Sequence, residues 1–190
     1  MSKIKWGGGA LLAPVPPTIV TCSCNGKVNA ITVGWTGILN TKPPMTYISV
    51  RPERYSYDII KQSGEFVINL TTENMVRATD FCGVRSGKDI DKIKETGLVL
   101  TNGSEISVPV IEQSPVNIEC KVKQIVPLGS HDMFIADIVA VDVEEGLIDQ
   151  NGKLRLYKAG LMAYAHGSYY GLGKYLGDFG FSVRKKRKKR

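Results

Sequence analysis

The chain has 190 residues, 43% of them hydrophobic, and a formal net charge of +7; that length supports one substantial core in a single domain. Residues 184–190 are all Lys or Arg and account for the whole of the net charge, so the body is neutral, which argues against a nucleic-acid module with basic residues spread over a folded face. No run approaches the roughly 20 apolar residues of a membrane span, and the stretch after Lys3 and Lys5 is stopped by prolines, unlike a secretory leader; the expectation is a soluble cytoplasmic protein, with one domain over residues 1–183 and a disordered basic tail over 184–190.

In chain order, residues 18–24 and 27–33 are two runs rich in β-branched residues. They are joined by Asn25-Gly26, the dipeptide most favoured in two-residue hairpin turns. Residues 45–50 read as a third strand. Tyr55, Ile59 and Ile60 recur at helical spacing over residues 54–62, and Ser63-Gly64 ends that helix. A strand over 65–70 and a short helix over 73–79 precede a Gly-rich stretch, 82–88, and a further short helix is expected over 89–94, stopped by Gly97. The second half is mostly strand: 98–101, a short piece around Val110, then two long runs, 116–126 and 133–143, forming a hairpin. Residues 146–164 hold one or two short strands, and the Gly/Tyr-rich stretch 165–179 resists assignment. Strands that outnumber short helices fit an antiparallel barrel, closed or nearly so, with the helices packed outside.

The four cysteines, Cys22, Cys24, Cys82 and Cys120, and the two histidines, His131 and His166, lack zinc-site spacings. Cys22 and Cys24 fall on one face of a strand and read as small hydrophobes. Two histidines with no nucleophile motif nearby leave no basis for a hydrolase. Neither a G-x-x-x-x-G-K-[ST] loop nor a strand-linked G-x-G-x-x-G is present, so nucleoside-triphosphate and Rossmann dinucleotide binding are set aside. A bound cofactor becomes the natural carrier of chemistry.

Three clusters remain. Arg51-Pro-Glu-Arg-Tyr-Ser56 stands at a helix start, where free N–H groups and the dipole favour an anion; the alternative is a helix end with solvated arginines. Gly83-Val-Arg-Ser-Gly-Lys88 and the residues up to Lys92 have the composition of a phosphate cradle, or of a polar helix start capped by Ser86 or Asp89. On the second strand, Asn29 and Thr32 need partners, because an unpaired buried polar group costs about 1–3 kcal/mol. A flat heteroaromatic ring satisfies them, and so does cross-strand pairing.

In this order the features resemble the flavin-reductase-like family with the FMN-binding split barrel, in particular its flavoredoxin branch. The resemblance rests on Pro14-Val-Pro-Pro17, Asn25-Gly26, Asn29-Ala-Ile-Thr32 with Trp35, Lys42-Pro-Pro44, Arg51 with Tyr55-Ser56, Gly64-Glu-Phe-Val-Ile-Asn69, Ser86-Gly-Lys88 with Asp91-Lys92, and Glu119-Cys120, and spans roughly residues 10–145. It implies a mainly β fold, an antiparallel FMN-binding split β-barrel with short helices outside, a homodimer, and one non-covalent FMN per protomer. By position, Asn29, Ala30, Ile31 and Thr32 lie against the ring, Ser49, Val50 and Arg51 line the ribityl and phosphate, Tyr55 and Ser56 meet the phosphate, and Cys82, Gly83, Ser86, Gly87 and Lys92 close the pocket. His166 is the implied catalytic histidine. The electron source is NAD(P)H or a redox partner protein: an electron carrier on one reading, an NAD(P)H-dependent flavin or ferric reductase on the other. Neither a membrane nor a nucleic-acid partner is expected.

Overall fold

The Asn25-Gly26 dipeptide does what its chemistry dictates. In the computed structural model, which describes residues 1–184, strands β1 (Thr18–Cys24) and β2 (Lys27–Val33) pair with Cys24 opposite Lys27. The turn residues adopt φ of 50° and 76°, the left-handed region that Asn and Gly tolerate best. The basic tail expected to be disordered lies, from residue 185 on, outside the described residues.

The chain continues through β3 (Thr36–Thr41), β4 (Pro44–Val50), α1 (Tyr55–Ser63), β5 (Glu65–Asn69), α2 (Val76–Val84) and α3 (Lys92–Thr96). Two short strands, β6 (Leu100–Thr101) and β7 (Val110–Ile111), precede the long hairpin β8 (Val116–Pro127) and β9 (Asp132–Val143), and a small hairpin, β10 (Met162–Ala165) and β11 (Ser168–Gly171), follows. Seven strands form one sheet in the order β2-β1-β5-β8-β9-β4-β3, every pairing antiparallel. The architecture is therefore mainly β with short helices, as expected. The sheet curls until β2 approaches β4, though these two strands share no ladder.

Inside the curl, Val20, Ile31, Val33, Ile48, Ile60, Phe66 and Phe134 pack as one buried cluster with Cys22 and Cys120, each large side chain contributing about 1.5–3 kcal/mol. Cys24 packs against the same cluster, consistent with its reading as a small hydrophobe. On the other face of β1 and β2, Ile19 and Ala30 bury against Met75, Cys82, Leu98 and Ile111, which fastens α2 and α3 outside the sheet.

Four local expectations are corrected. β3 was not expected at all, because its Ile38 and Leu39 are adjacent and both exposed, so period-two alternation is missing from an edge strand. α2 begins after a 3-10 turn (Glu73–Met75) and runs on to Val84, taking Cys82 and Gly83 out of the loop assigned to them. α3 starts at Lys92, not at residue 89, since Asp91 is its N-cap and accepts the Lys94 N–H at 3.1 Å. Part of the Gly/Tyr-rich stretch is ordered as the β10–β11 hairpin, around a His166-Gly167 turn with φ of 47° and 93°.

Candidate functional site

Where β2 nears β4, the gap between them opens into two adjoining clefts of about 350 and 330 Å³. Ile31, Arg51 and Arg54 line both, which makes them one groove. The two ends differ in chemistry.

The first end is aromatic. Ile31, Thr32 and Val33 of β2 face Ser49 and Val50 of β4 there, with Trp35, His131, Tyr164 and Tyr169 as further walls. Trp35 and His131 lie ring to ring at 4.3 Å, and Tyr164 and Tyr169 at 5.2 Å. The tyrosines are fixed in place: Tyr164 exchanges two backbone hydrogen bonds with Val15, and the Tyr169 hydroxyl donates to Asp80 of α2 at 3.3 Å. Burial, then Asp80, pushes that phenol up to about 12. Burial first and Arg51 second lower the His131 imidazole from its usual value, which favours the neutral ring. Its Nδ1 sits 3.0 Å from Ser130 Oγ, leaving Nε2 as the nitrogen open to a ligand.

The second end is cationic and rich in donors. Asn29, Ser56, Ser86, Gly87 and Lys92 line it together with Arg85 and Tyr55. Asn29 Nδ2 donates to Ser56 Oγ at 2.8 Å, fixing a buried hydroxyl at the first turn of α1. No side chain caps that helix at Arg54, so its first N–H groups and the positive end of its dipole stay available to an anion. Gly87 is required by space: a Cβ there would come within 2.3 Å of Asn29 Oδ1 and 2.8 Å of the Tyr55 ring. Lys92 is 3% exposed. Its Nζ donates to the Cys82 carbonyl at 3.0 Å, and among the described residues it forms no ion pair. Burial lowers the Lys92 pKa, the expected response of an ammonium with no counter-charge.

Of the residues singled out from sequence, Asn29, Ile31, Thr32, Ser49, Val50, Arg51, Tyr55, Ser56, Gly83, Ser86, Gly87 and Lys92 line the groove. Ala30 and Cys82 do not: strand alternation turns Ala30 away from Asn29 and Ile31, into the packing under α2 where Cys82 also lies. The Cys82 carbonyl, not its thiol, reaches toward the site, through Lys92. Asn29 and Thr32 find partners in the protein itself, Thr32 Oγ1 donating to the Thr79 carbonyl at 2.5 Å, so a ring is not needed to satisfy them. His166 lines a neighbouring cavity formed with Leu11, Leu12, Trp35 and Tyr164. His131, the histidine in the groove, was not singled out, nor was Tyr164, and Arg85 figured only within the Gly83–Lys88 cluster. His131 reaches the site because the β8–β9 turn is brought beside Val50, which pairs with Asp132, a long-range pairing that no local motif announces.

Residues 11–173 match the family described as flavin reductase like domain. The flavoredoxin of Desulfovibrio vulgaris (Miyazaki F) superposes with a TM-score of 0.89 at 27% identity, over 96% of this chain and 100% of its own. The flavoredoxin from Methanosarcina acetivorans gives 0.86 at 28% identity, over 97% of this chain and 100% of its own. An uncharacterised protein of Aeropyrum pernix is 31% identical over 132 residues, 69% of this chain and 50% of that protein; the chain thus spans half the length of that relative.

Proposed function

Because the chain belongs to the flavin reductase like domain family, we propose that it is an FMN-binding flavoprotein that passes electrons through the flavin in the manner of a flavoredoxin. The observation that carries this reading is Lys92, an ammonium buried in a donor-rich cleft without a carboxylate partner among the described residues. A buried charge is costly unless paired, and a terminal phosphate supplies the pair. The adjoining aromatic cleft suits a flat ring, so the groove as a whole fits a mononucleotide that is anionic at one end and planar at the other.

In this reading Lys92, the Ser56 hydroxyl and the first amides of α1 hold the phosphate, with Arg51 and Arg54 beside the chain that joins phosphate to ring. Ile31, Thr32, Ser49 and Val50 border the ring, and Trp35 with the pinned Tyr164–Tyr169 pair keeps water from one side of the groove. When bound, FMN supplies the one- and two-electron chemistry. His131 Nε2 is placed to accept or give a proton in the groove, and His166, one cavity further, acts on whatever approaches past Trp35. The apolar residues left exposed on β3 and beside the groove, Ile38, Leu39, Trp35, Leu11 and Leu12, support burial against a second copy, hence a homodimer, and we place it in the cytoplasm. No helix among the described residues is long and apolar enough to cross a membrane.

One observation favours a second reading: Arg54 and Arg85 add two cations to the groove beyond Lys92 and beyond Arg51, which pairs with Glu53 of the same cleft at 3.7 Å, more than one phosphate requires. That surplus suits the phosphates of NAD(P)H, and with it an NAD(P)H-dependent flavin or ferric reductase. The test is direct. The purified protein is expected to be yellow and to release FMN, not FAD, on denaturation; a colourless protein that takes up no added FMN defeats both readings. Stopped-flow mixing of the flavin-loaded protein with NADH and NADPH separates them: fast saturable reduction, about 1 to 10³ s⁻¹, makes it a reductase and defeats the carrier.

A further inference from the structure

The match to the family ends at residue 173, and the segment that follows has an organisation of its own. Asp178 gathers it: its carboxylate accepts from Arg184 Nη1 at 3.3 Å, while its carbonyl accepts the Phe181 N–H at 3.0 Å. The Phe181 ring lies against Gly177, where a Cβ would come within 2.7 Å of it. The resulting small knob turns three apolar side chains outward, Leu176 at 88% exposure, Phe179 at 104% and Val183 at 83%. Immediately after it come the six cations of residues 185–190.

We propose that residues 174–190 attach the protein to the surface of an anionic lipid bilayer, Leu176, Phe179 and Val183 entering the interface while the basic run meets acidic headgroups. Neither half suffices alone. Three apolar side chains are too few to hold a protein at a membrane, and a basic run alone is easily displaced by salt; together they supply the two signals that stable peripheral attachment takes. The same pairing selects lipid over the other candidates. Nucleic acid offers the cations phosphates but gives Leu176 and Val183 nowhere to bury. A second copy offers apolar area but brings its own run of like charges to the same place, which repels. The neutral body neither helps nor opposes the attachment, so the attachment is a property of this segment.

The experiment is co-sedimentation of the flavin-loaded full chain with vesicles of equal parts phosphatidylserine and phosphatidylcholine, against phosphatidylcholine alone, at about 0.1 M salt. We expect partition onto the acidic vesicles at least about 100-fold stronger than onto the neutral ones, the gain from three of the six basic residues lying at the surface at roughly fivefold each, and loss of the difference at about 1 M salt. Replacing residues 185–190 by Ser, which leaves the Arg184–Asp178 contact intact, abolishes it. The double variant Leu176→Ser, Phe179→Ser keeps every charge and still weakens binding about tenfold or more. Flavin content and circular dichroism stay unchanged throughout, so a failure here is separable from a failure to bind FMN. The proposal is overturned by equal binding to both vesicles, by no binding, by tight binding to duplex DNA that the double variant does not alter, or by a double variant that dissociates the dimer and leaves vesicle binding intact.

Discussion

Lys92 and Glu119 are the two charged residues buried outright among the described residues, at 3% and 0% exposure, and the chain treats them in opposite ways. Around Glu119 it wraps a loop: the carboxylate accepts from Ser104 N and Oγ at 2.6 and 2.7 Å, from Glu105 N at 3.0 Å and from Ile106 N at 2.8 Å. Burial alone would raise this acid, but those bonds outweigh it and hold the carboxyl down at about 2. Around Lys92 it builds a cleft and provides a single carbonyl. One buried charge is finished by the fold and the other is left for something from outside. The difference marks Glu119 as structural and is what singles out Lys92 in the proposed site, without reference to any relative.

The comparison breaks most visibly at Glu119. Glu119→Gln places an amide against four donors and should lower stability by about 3 kcal/mol, read as a shift of the denaturation midpoint, while FMN affinity of the folded protein stays the same. The acid limb of stability gives the same information in the wild type. Because the folded pKa is depressed from 4.5 to about 2, the contribution of Glu119 is complete above about pH 4.5 and drains away as pH falls toward 2. Asp142 works against it: burial, then Glu119 itself, raises its carboxyl, so its contribution is present at low pH and lost as pH rises. Denaturation curves from pH 2 to 6 should therefore converge for wild type and Glu119→Gln at the acid end; a gap of constant size would mean that the Glu119 charge is not what holds the loop.

Lys92→Met should act with the opposite sign on the flavin-free protein, leaving stability equal or higher because an unpaired buried charge has gone, and should weaken FMN by tenfold to a hundredfold, about 1.5–3 kcal/mol. A flavin-free variant as destabilised as Glu119→Gln would erase the distinction between the two sites. Gly87→Ala tests the cradle between them in size: the added methyl collides with Asn29 and Tyr55, and FMN affinity should fall about tenfold as that corner shifts. The smallest effect is expected from Arg51→Ala. Its side chain is half exposed and 3.7 Å from Glu53, so solvent screens it, and a loss of about three- to tenfold in FMN affinity at low salt should shrink further at high salt. A loss as large as that of Lys92→Met would make Arg51 the principal anion ligand.

How much of this was legible in the sequence follows from how local each feature is. The β1–β2 hairpin was written in two turn residues, and the strand face that carries Asn29 and Ile31 followed from alternation. The anion end of the groove was legible because Arg51, Ser56, Ser86 and Lys92 sit at helix starts and Gly-rich turns, where composition carries meaning. The side chains of Ala30 and Cys82 lie off the groove because proximity in sequence to a site says nothing of which face a side chain takes. The aromatic end was the hardest to see. Trp35, His131 and Tyr164 come from three distant stretches, and only the β4–β9 ladder and the Val15–Tyr164 pairing bring them together. β3 was invisible for a different reason: an edge strand with adjacent exposed Ile38 and Leu39 has no period to read.

The place of the long β8–β9 hairpin in the strand order has a bearing on how the protein is made. It stands between β2-β1-β5 on one side and β4-β3 on the other, so the two strands that flank the groove become neighbours only once it has formed. β2 and β4 are complete by residue 50, yet His131, Tyr164 and Tyr169 leave the ribosome some eighty to a hundred and twenty residues later. Contacts this distant in sequence are slow to form, and at synthesis rates of about 5–20 residues per second the wait is several seconds. A nascent chain halted before residue 116 should therefore have β1, β2 and β4 in hand and still be unable to retain the cofactor, and the uptake of flavin would serve as a clock for the last stage of folding.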